Sequence, residues 1–188
     1  MLPGCVADGA PTYDVAKAKE YMAASGLNAA DCGFSIICSD DAKLRMGQVI
    51  QSCLKENLGV DVTLESMDLA TYLDVTATGE YDAAIGGYTS SSLLAFVQGV
   101  YHSISINGSN KTRTNSATID GLIEKLQATL DPEENVKVAT ELSKALNEEC
   151  AQVPLFVKND IRAYNAKMQG FNMNPGGDTR IEKYYWAE

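Results

Sequence analysis

The sequence has one histidine, His102, and one tryptophan, Trp186. A single histidine cannot build a multi-histidine metal cluster, and no sequence neighbour of His102 suggests a catalytic dyad. The five cysteines (Cys5, Cys32, Cys38, Cys53 and Cys150) are odd in number and form no Cys-x-x-Cys pair. Zinc spacing is absent and a disulfide framework is not implied. No run approaches the roughly 18 apolar residues of a membrane span. The first residues lack the basic and apolar regions of a signal peptide. Leu2-Pro3-Gly4-Cys5 has no apolar stretch before it that would make it a lipoprotein cleavage site. Nor is there a basic stripe. Fifteen basic residues stand against 25 acidic ones, for a net charge of −10. That balance argues against nucleic acid and against an anionic membrane surface as partners.

What is present is an ordinary globular composition. The 188 residues suit one domain or one large lobe, and 45% apolar content is enough for a core. After a Pro- and Gly-containing loop from Met1 to Thr12, Asp14 is placed to cap a helix. Val15, Ala18, Tyr21 and Met22 form its apolar stripe, and Gly26 ends it. Phe34-Ser35-Ile36-Ile37-Cys38 reads as a buried strand. A helix follows with Met46, Val49, Ile50, Cys53 and Leu54 on one face, ended by Gly59. Cys38 and Cys53 are both expected in the core. Val60 to Glu65 alternates as a half-buried strand. Asp68 caps a short helix that carries Leu69, Tyr72 and Leu73 and ends at Gly79.

Tyr81 to Ile85 supplies a third strand, so residues 34–87 read β-α-β-α-β. Crossovers of this length imply parallel strands with right-handed connections. Ligands collect beyond the carboxyl ends of the strands in such sheets. One strand end opens into Ser39-Asp40-Asp41, where an aspartate can cap the next helix or touch a ligand. The other opens into Gly86-Gly87-Tyr88-Thr89-Ser90-Ser91-Ser92. The two glycines permit a sharp turn or a close ligand approach. Tyr88 can stack on a guest, and Thr89 to Ser92 can hydrogen-bond to it or cap the next helix.

A helix within residues 92–104 is expected to turn Leu93, Phe96, Val97 and Val100 inward. Asn107 to Asn115 is a polar loop with acceptor tripeptides at Asn107 and Asn110, read as loop composition. Ser116 or Asn115 caps a helix with Ile119, Leu122, Ile123 and Leu126 in register. Asp131-Pro132-Glu133-Glu134 starts another, which buries Val136, Ala139, Leu142, Leu146 and Cys150 and pairs with the one before it. Val153 to Val157 and Ile161 to Tyr164 read as short strands, with Pro154 at a strand start or edge. Met168 to Asp178 reads as loop, followed by an aromatic tail with Ile181, Tyr184, Tyr185 and Trp186.

Six segments in order resemble the C-terminal portion of a bacterial extracellular solute-binding protein of the oligopeptide/dipeptide class (family 5). They are Tyr13 to Lys19 with Ala24-Ser25-Gly26, Leu58 to Val62 with Tyr72-Leu73, and Gly79 to Tyr88. Asp131-Pro132-Glu133, Val153-Pro154-Leu155, and Asn159-Asp160 with Tyr164-Asn165 and Gly170-Phe171 complete the series. The resemblance implies an α/β, periplasmic-binding-protein type II-like lobe with a mainly parallel central sheet flanked by helices. It implies a ligand-binding lobe over residues 1–178 and a segment, 179–188, that returns to the other lobe of the complete protein. Tyr88 sits where the family usually has Trp. Peptide binders of the family place an aspartate a few residues later, against the peptide's α-ammonium. Here that stretch is Ser90-Ser91-Ser92-Leu93-Leu94, with no acid.

The implied function is solute binding, with a peptide as the expected ligand, for uptake by an ABC permease. The implied location is the outer face of the cell membrane, lipid-anchored, or the periplasm. The missing N-terminal lobe, the permease and a small solute or peptide are the expected partners, and no cofactor or metal is expected. The expected ligand-binding residues are Tyr88, Thr89, Ser90 and Ser91, with Ser39 and Asn107 as further candidates. An enzyme would need a nucleophile beside a base, and no such pair is visible. A sensory domain on the same fold is the alternative, because fold alone does not settle function.

Overall fold

The structure is a computed structural model that describes residues 4–7, 10, 12–90, 92–157, 159, 161–172 and 180–187. Helix α1 (Val15–Ser25) is capped by Asp14, whose carboxylate accepts from the Lys17 N–H at 3.0 Å. Strand β1 (Phe34–Cys38) leads into α2 (Asp41–Leu58), capped by Asp40 through the Lys43 N–H at 2.9 Å. Strand β2 (Val62–Ser66) leads into α3 (Leu69–Thr78), capped by Asp68. Strand β3 is Ala83–Ala84. Each cap satisfies N–H groups that the first helical turn leaves without partners.

The sheet order is β2-β1-β3, all parallel, with Phe34 opposite Val62 and Ile37 opposite Ala84. A right-handed crossover to one side and then back across β1 puts α2 and α3 on opposite faces. On the α2 face, Ile36, Cys38, Val62 and Ile85 pack with Leu44, Ile50 and Leu54. Gly47 lets α2 approach closely, since a Cβ there would lie 2.9 Å from Leu64. A second core joins α4 (Leu93–Tyr101), α5 (Ala117–Ala128) and α6 (Pro132–Glu149) around Val97, Ile119, Ile123, Leu126, Val138 and Leu142. Asp131 and Pro132 start α6 as the sequence requires, with the Asp131 carboxylate accepting from the Glu134 N–H at 2.8 Å.

Several expectations are corrected. Tyr81, Asp82 and Ile85 lie outside β3; Tyr81 instead donates its hydroxyl to the Lys111 carbonyl. Gly86 and Gly87 do not adopt the left-handed φ of a sharp turn; Gly86 instead packs against the Tyr72 hydroxyl. Val49, Leu69 and Leu73 are exposed, as are Cys53 and Cys150. Each helix packs against its neighbours along a narrower stripe than its apolar count suggests, and single exposed apolar residues are ordinary. Tyr21 and Val136 are exposed for the same reason.

The described residues of 153–164 form no strand, and Val153, Phe156, Val157 and Ile161 face solvent. Pro154 cannot donate to a ladder, and no strand among the described residues pairs with them. Met168–Gln169, expected in a loop, forms β4 and pairs antiparallel with β5 (Tyr185–Trp186). Phe171 stacks on Tyr164 at 4.4 Å and leans on Tyr184 at 5.7 Å, so the tail carries its own aromatic cluster.

Candidate functional site: the carboxyl edge of the sheet

Parallel strands deliver their ends to one edge, and the register fixes which residues meet there. Ile37 pairs with Ala84, and the Ile85 N–H donates to the Ile37 carbonyl at 3.1 Å. Ser39 and Gly86 follow just past these strand ends. The Ser39 hydroxyl accepts from the Lys43 ammonium at 2.9 Å, and Lys43 also pairs with Asp40. The Lys43 ammonium, by hydrogen-bonding to Asp40, holds its carboxyl below the usual range.

Past Gly87, Tyr88 leaves the sheet and lies against α4. Its ring meets Phe96 edge-on, with centroids 5.8 Å apart and planes at 66°. Its hydroxyl sits over Gly99, where a Cβ would lie 2.5 Å away. Tyr88 keeps 46% of its surface exposed, so the ring has a seat and an open side. Thr89 is exposed beside it. Ser90 donates to the Ser92 carbonyl at 3.2 Å, and the Ser92 hydroxyl caps α4 by accepting from the Ala95 N–H at 3.1 Å. Ser91 lies outside the described residues.

Asn107 is elsewhere. It adopts φ 68°, and its side-chain amide Oδ1 accepts from the Arg113 guanidinium at 3.2 Å. Arg113 covers Gly79, the residue that ends α3 before β3 begins. Asn107 therefore sits toward the amino-terminal edge of the sheet, away from Ser39 and Tyr88.

The structure adds residues that sequence reasoning missed. Tyr72, 4% exposed, donates its hydroxyl to the Ile85 carbonyl at 3.2 Å. Burial pushes its pKa up to about 12. Lys111 reaches over from the loop after α4. Its ammonium donates to Thr76 at 2.9 Å and lies 4.8 Å from the centre of the Tyr72 ring. Asn110 is buried rather than displayed, donating to the carbonyls of His102 and Thr114 at 3.1 and 3.0 Å. No local signal marks these residues, because their partners lie 4 to 39 positions away.

His102 gains partners that the sequence did not suggest. Its Nδ1 is 3.4 Å from Asp120 and its Nε2 is 3.7 Å from Glu124. Ser103 donates its hydroxyl to Asp120, and Nδ1 accepts from the Ile104 N–H at 3.2 Å. Serine and histidine each bond elsewhere, so the group clamps a loop to α5 without activating a nucleophile. Among the described residues, no cluster of three or more His, Cys, Asp or Glu is placed to hold a metal. No helix of the described residues is long and apolar enough to cross a membrane. A cleft of about 300 Å³ between α2 and β2 lies at the opposite end of β2 from the carboxyl edge. Gln51, Lys55, Asp61 and Val62 line it, and the Lys55–Asp61 pair at 2.6 Å spans it.

Comparison with known proteins agrees with this architecture. Over 128 residues the chain is 30% identical to an Escherichia coli (strain K12) protein named as a probable D,D-dipeptide-binding periplasmic protein, DdpA, covering 66% of this chain and 25% of that one. It is 23% identical over 159 residues to the periplasmic oligopeptide-binding protein OppA of Salmonella typhimurium, covering 82% and 29%. It superposes on Haemophilus influenzae OppA in complex with the peptide RPPGFSPFR with a TM-score of 0.79 at 22% identity, covering 93% and 35%. The chain thus spans about a quarter to a third of the length of these relatives. Residues 3–104 match the family described as "Bacterial extracellular solute-binding proteins, family 5 Middle", and the chain belongs to that family.

Proposed function

We propose that this chain is one lobe of a peptide receptor that closes on its ligand and delivers it to an ABC permease. The observation that carries the reading is Tyr88. It is an aromatic ring seated on Phe96 and Gly99, half open to solvent, at the carboxyl edge of a parallel sheet. A ring held in that way can stack on a guest without first being ordered, which lowers the entropic cost of binding. Thr89, Ser90, Ser91 and Ser39 supply hydrogen-bonding groups around it. Asn107 is held by Arg113 away from this group. The relatives named for dipeptides and oligopeptides support a peptide as the ligand.

Residues 1–178 form the gripping lobe in this reading, and residues 179–188 cross to a second lobe in the complete protein. The exposed apolar side chains of 153–164 and of Ile181, Tyr185 and Trp186 support this, since that much apolar surface calls for a cover. Ligand stabilises the closed form through its higher affinity for that form, and the permease reads closure. The complete protein works outside the cytoplasm, lipid-anchored or periplasmic.

Thermal unfolding of the complete protein tests the reading. A mixture of di- to pentapeptides added in excess raises the midpoint, because a ligand that binds only the folded state stabilises it. Equal midpoints with and without peptides, alongside a rise with a sugar or a metal chelate, would overturn the peptide assignment and leave the fold standing.

A further inference from the structure

Lys111 brings a positive charge into a partly buried position without bringing a carboxylate with it. Its ammonium rests on Thr76, 1% exposed, and on the ring of Tyr72, 4% exposed. No Asp or Glu of the described residues lies within ion-pair distance of it. Burial lowers the Lys111 pKa, and the nearby positive charge of Lys43 lowers it further. Lys43 shares its own charge with Asp40. Of these two ammonium groups only Lys43 has a carboxylate partner among the described residues, so Lys111 is left with a charge that no neighbouring acid neutralises. A desolvated charge is costly unless an opposite charge meets it.

The surroundings place this charge beside the proposed grip. Tyr72 links Lys111 to the strand end, because its hydroxyl reaches the Ile85 carbonyl and packs on Gly86. The Tyr88 hydroxyl and Ser109, two residues before Lys111, meet over Gly99. A Cβ at Gly99 would lie 2.5 Å from the former and 3.4 Å from the latter. The stretch after Tyr88 carries no acid through Leu94. It therefore offers a ligand ammonium no counter-charge, while the neighbouring loop offers a cation.

We propose that Lys111, flanked by Lys43, receives a carboxylate of the bound ligand, so that this lobe holds its peptide by an anionic group next to Tyr88. This rests on the peptide reading above. The carboxylate can be the peptide's own terminus or an Asp or Glu side chain. Both present the same chemistry to an ammonium.

Two libraries of tri- to pentapeptides test it, one with free carboxyl termini and one amidated. Each is mixed with the complete protein, and the retained peptides are counted by mass spectrometry. The expected result is about a tenfold or greater preference of the wild type for carboxylate-bearing members, equivalent to roughly 1.4 kcal/mol. Preference between the libraries places the anion at the terminus. Enrichment of Asp- or Glu-containing members within the amidated library places it on a side chain. Lys111→Met abolishes the preference while still retaining amidated peptides, and Lys111→Arg keeps it. Equal retention of both libraries with no acidic enrichment, or an undiminished preference in Lys111→Met, overturns the proposal and leaves the peptide reading intact. Retention of neither library by the wild type overturns both. A Lys111→Met protein that fails to fold moves the decision to Lys43→Met, for which a reduced preference is expected and an unchanged one counts against the site.

Discussion

The hydroxyl of Tyr88 lies over Gly99, on the second turn of α4, where a single added methyl would lie 2.5 Å from it. The strand-end aromatic is therefore positioned by a helix glycine eleven residues away, as well as by the sheet that delivers it. Gly99→Ala should displace the ring and weaken ligand binding while the helix itself stays formed, since alanine is the better helix former. Calorimetric titration of the complete protein with its ligand, beside a thermal melt, checks this. An unchanged affinity would show that the ring's seat is irrelevant to binding.

Tyr88→Ala tests the same surface more bluntly. Truncating a central aromatic contact commonly removes more than 1 kcal/mol of binding, so a weakening of about fivefold or more is expected. Tyr88 is 46% exposed, so the melting midpoint should move little. Full affinity in the variant would remove Tyr88 from the site.

Asn110 should matter for folding instead of binding. Its amide donates to the carbonyls of His102 and Thr114 and accepts from the Thr112 hydroxyl, at 1% exposure. Asn110→Ala takes the amide donor from the buried Thr114 carbonyl and leaves the His102 carbonyl only the Ser105 N–H, at a cost of about 1–3 kcal/mol. Urea denaturation measures it. A loss below about half a kcal/mol would mean that water replaces the amide freely.

Part of this architecture is legible in the sequence because its causes are local. Asp14, Asp40, Asp68 and Asp131 each cap a helix by accepting from an N–H two or three residues on. A reader needs only a short window to see them. The β-α-β-α-β order is legible for the same reason, through the apolar periods and the glycines that end each helix. The contact between Lys111 and Thr76 is not legible, because it joins residues 35 positions apart that no pattern links. The approach of His102 to Asp120 spans 18 positions and escaped notice for the same reason. Residues 153–157 show the opposite failure. Their apolar run reads as a strand, but a strand needs an edge to pair with, and no strand among the described residues pairs with them. Periodicity also overstated burial on α2, where Val49 and Cys53 follow the apolar spacing and still face solvent.

Acid should loosen the junction of α4 and α5 through Asp120. Burial alone would raise its pKa, but the Ser103 hydroxyl and N–H, with the His102 charge, bring it below the usual range. An unfolded chain then binds the proton more readily than the folded one. The resulting stability is present above the ordinary aspartate value of about 4 and is lost as pH falls through the folded value. Asp120→Asn should accordingly lose less stability than wild type between about pH 6 and about pH 3. Parallel curves for the two proteins would contradict this account of Asp120.

The central claim is that the complete protein holds a peptide between this lobe and a second one. The most direct measurement is mass spectrometry of the small molecules released when the complete protein, purified without added ligand, is denatured. Release of peptides in near-stoichiometric amount is the predicted result, and their termini would show which charged groups the site accepts. Release of a sugar, a metal chelate or another non-peptide solute would contradict the claim.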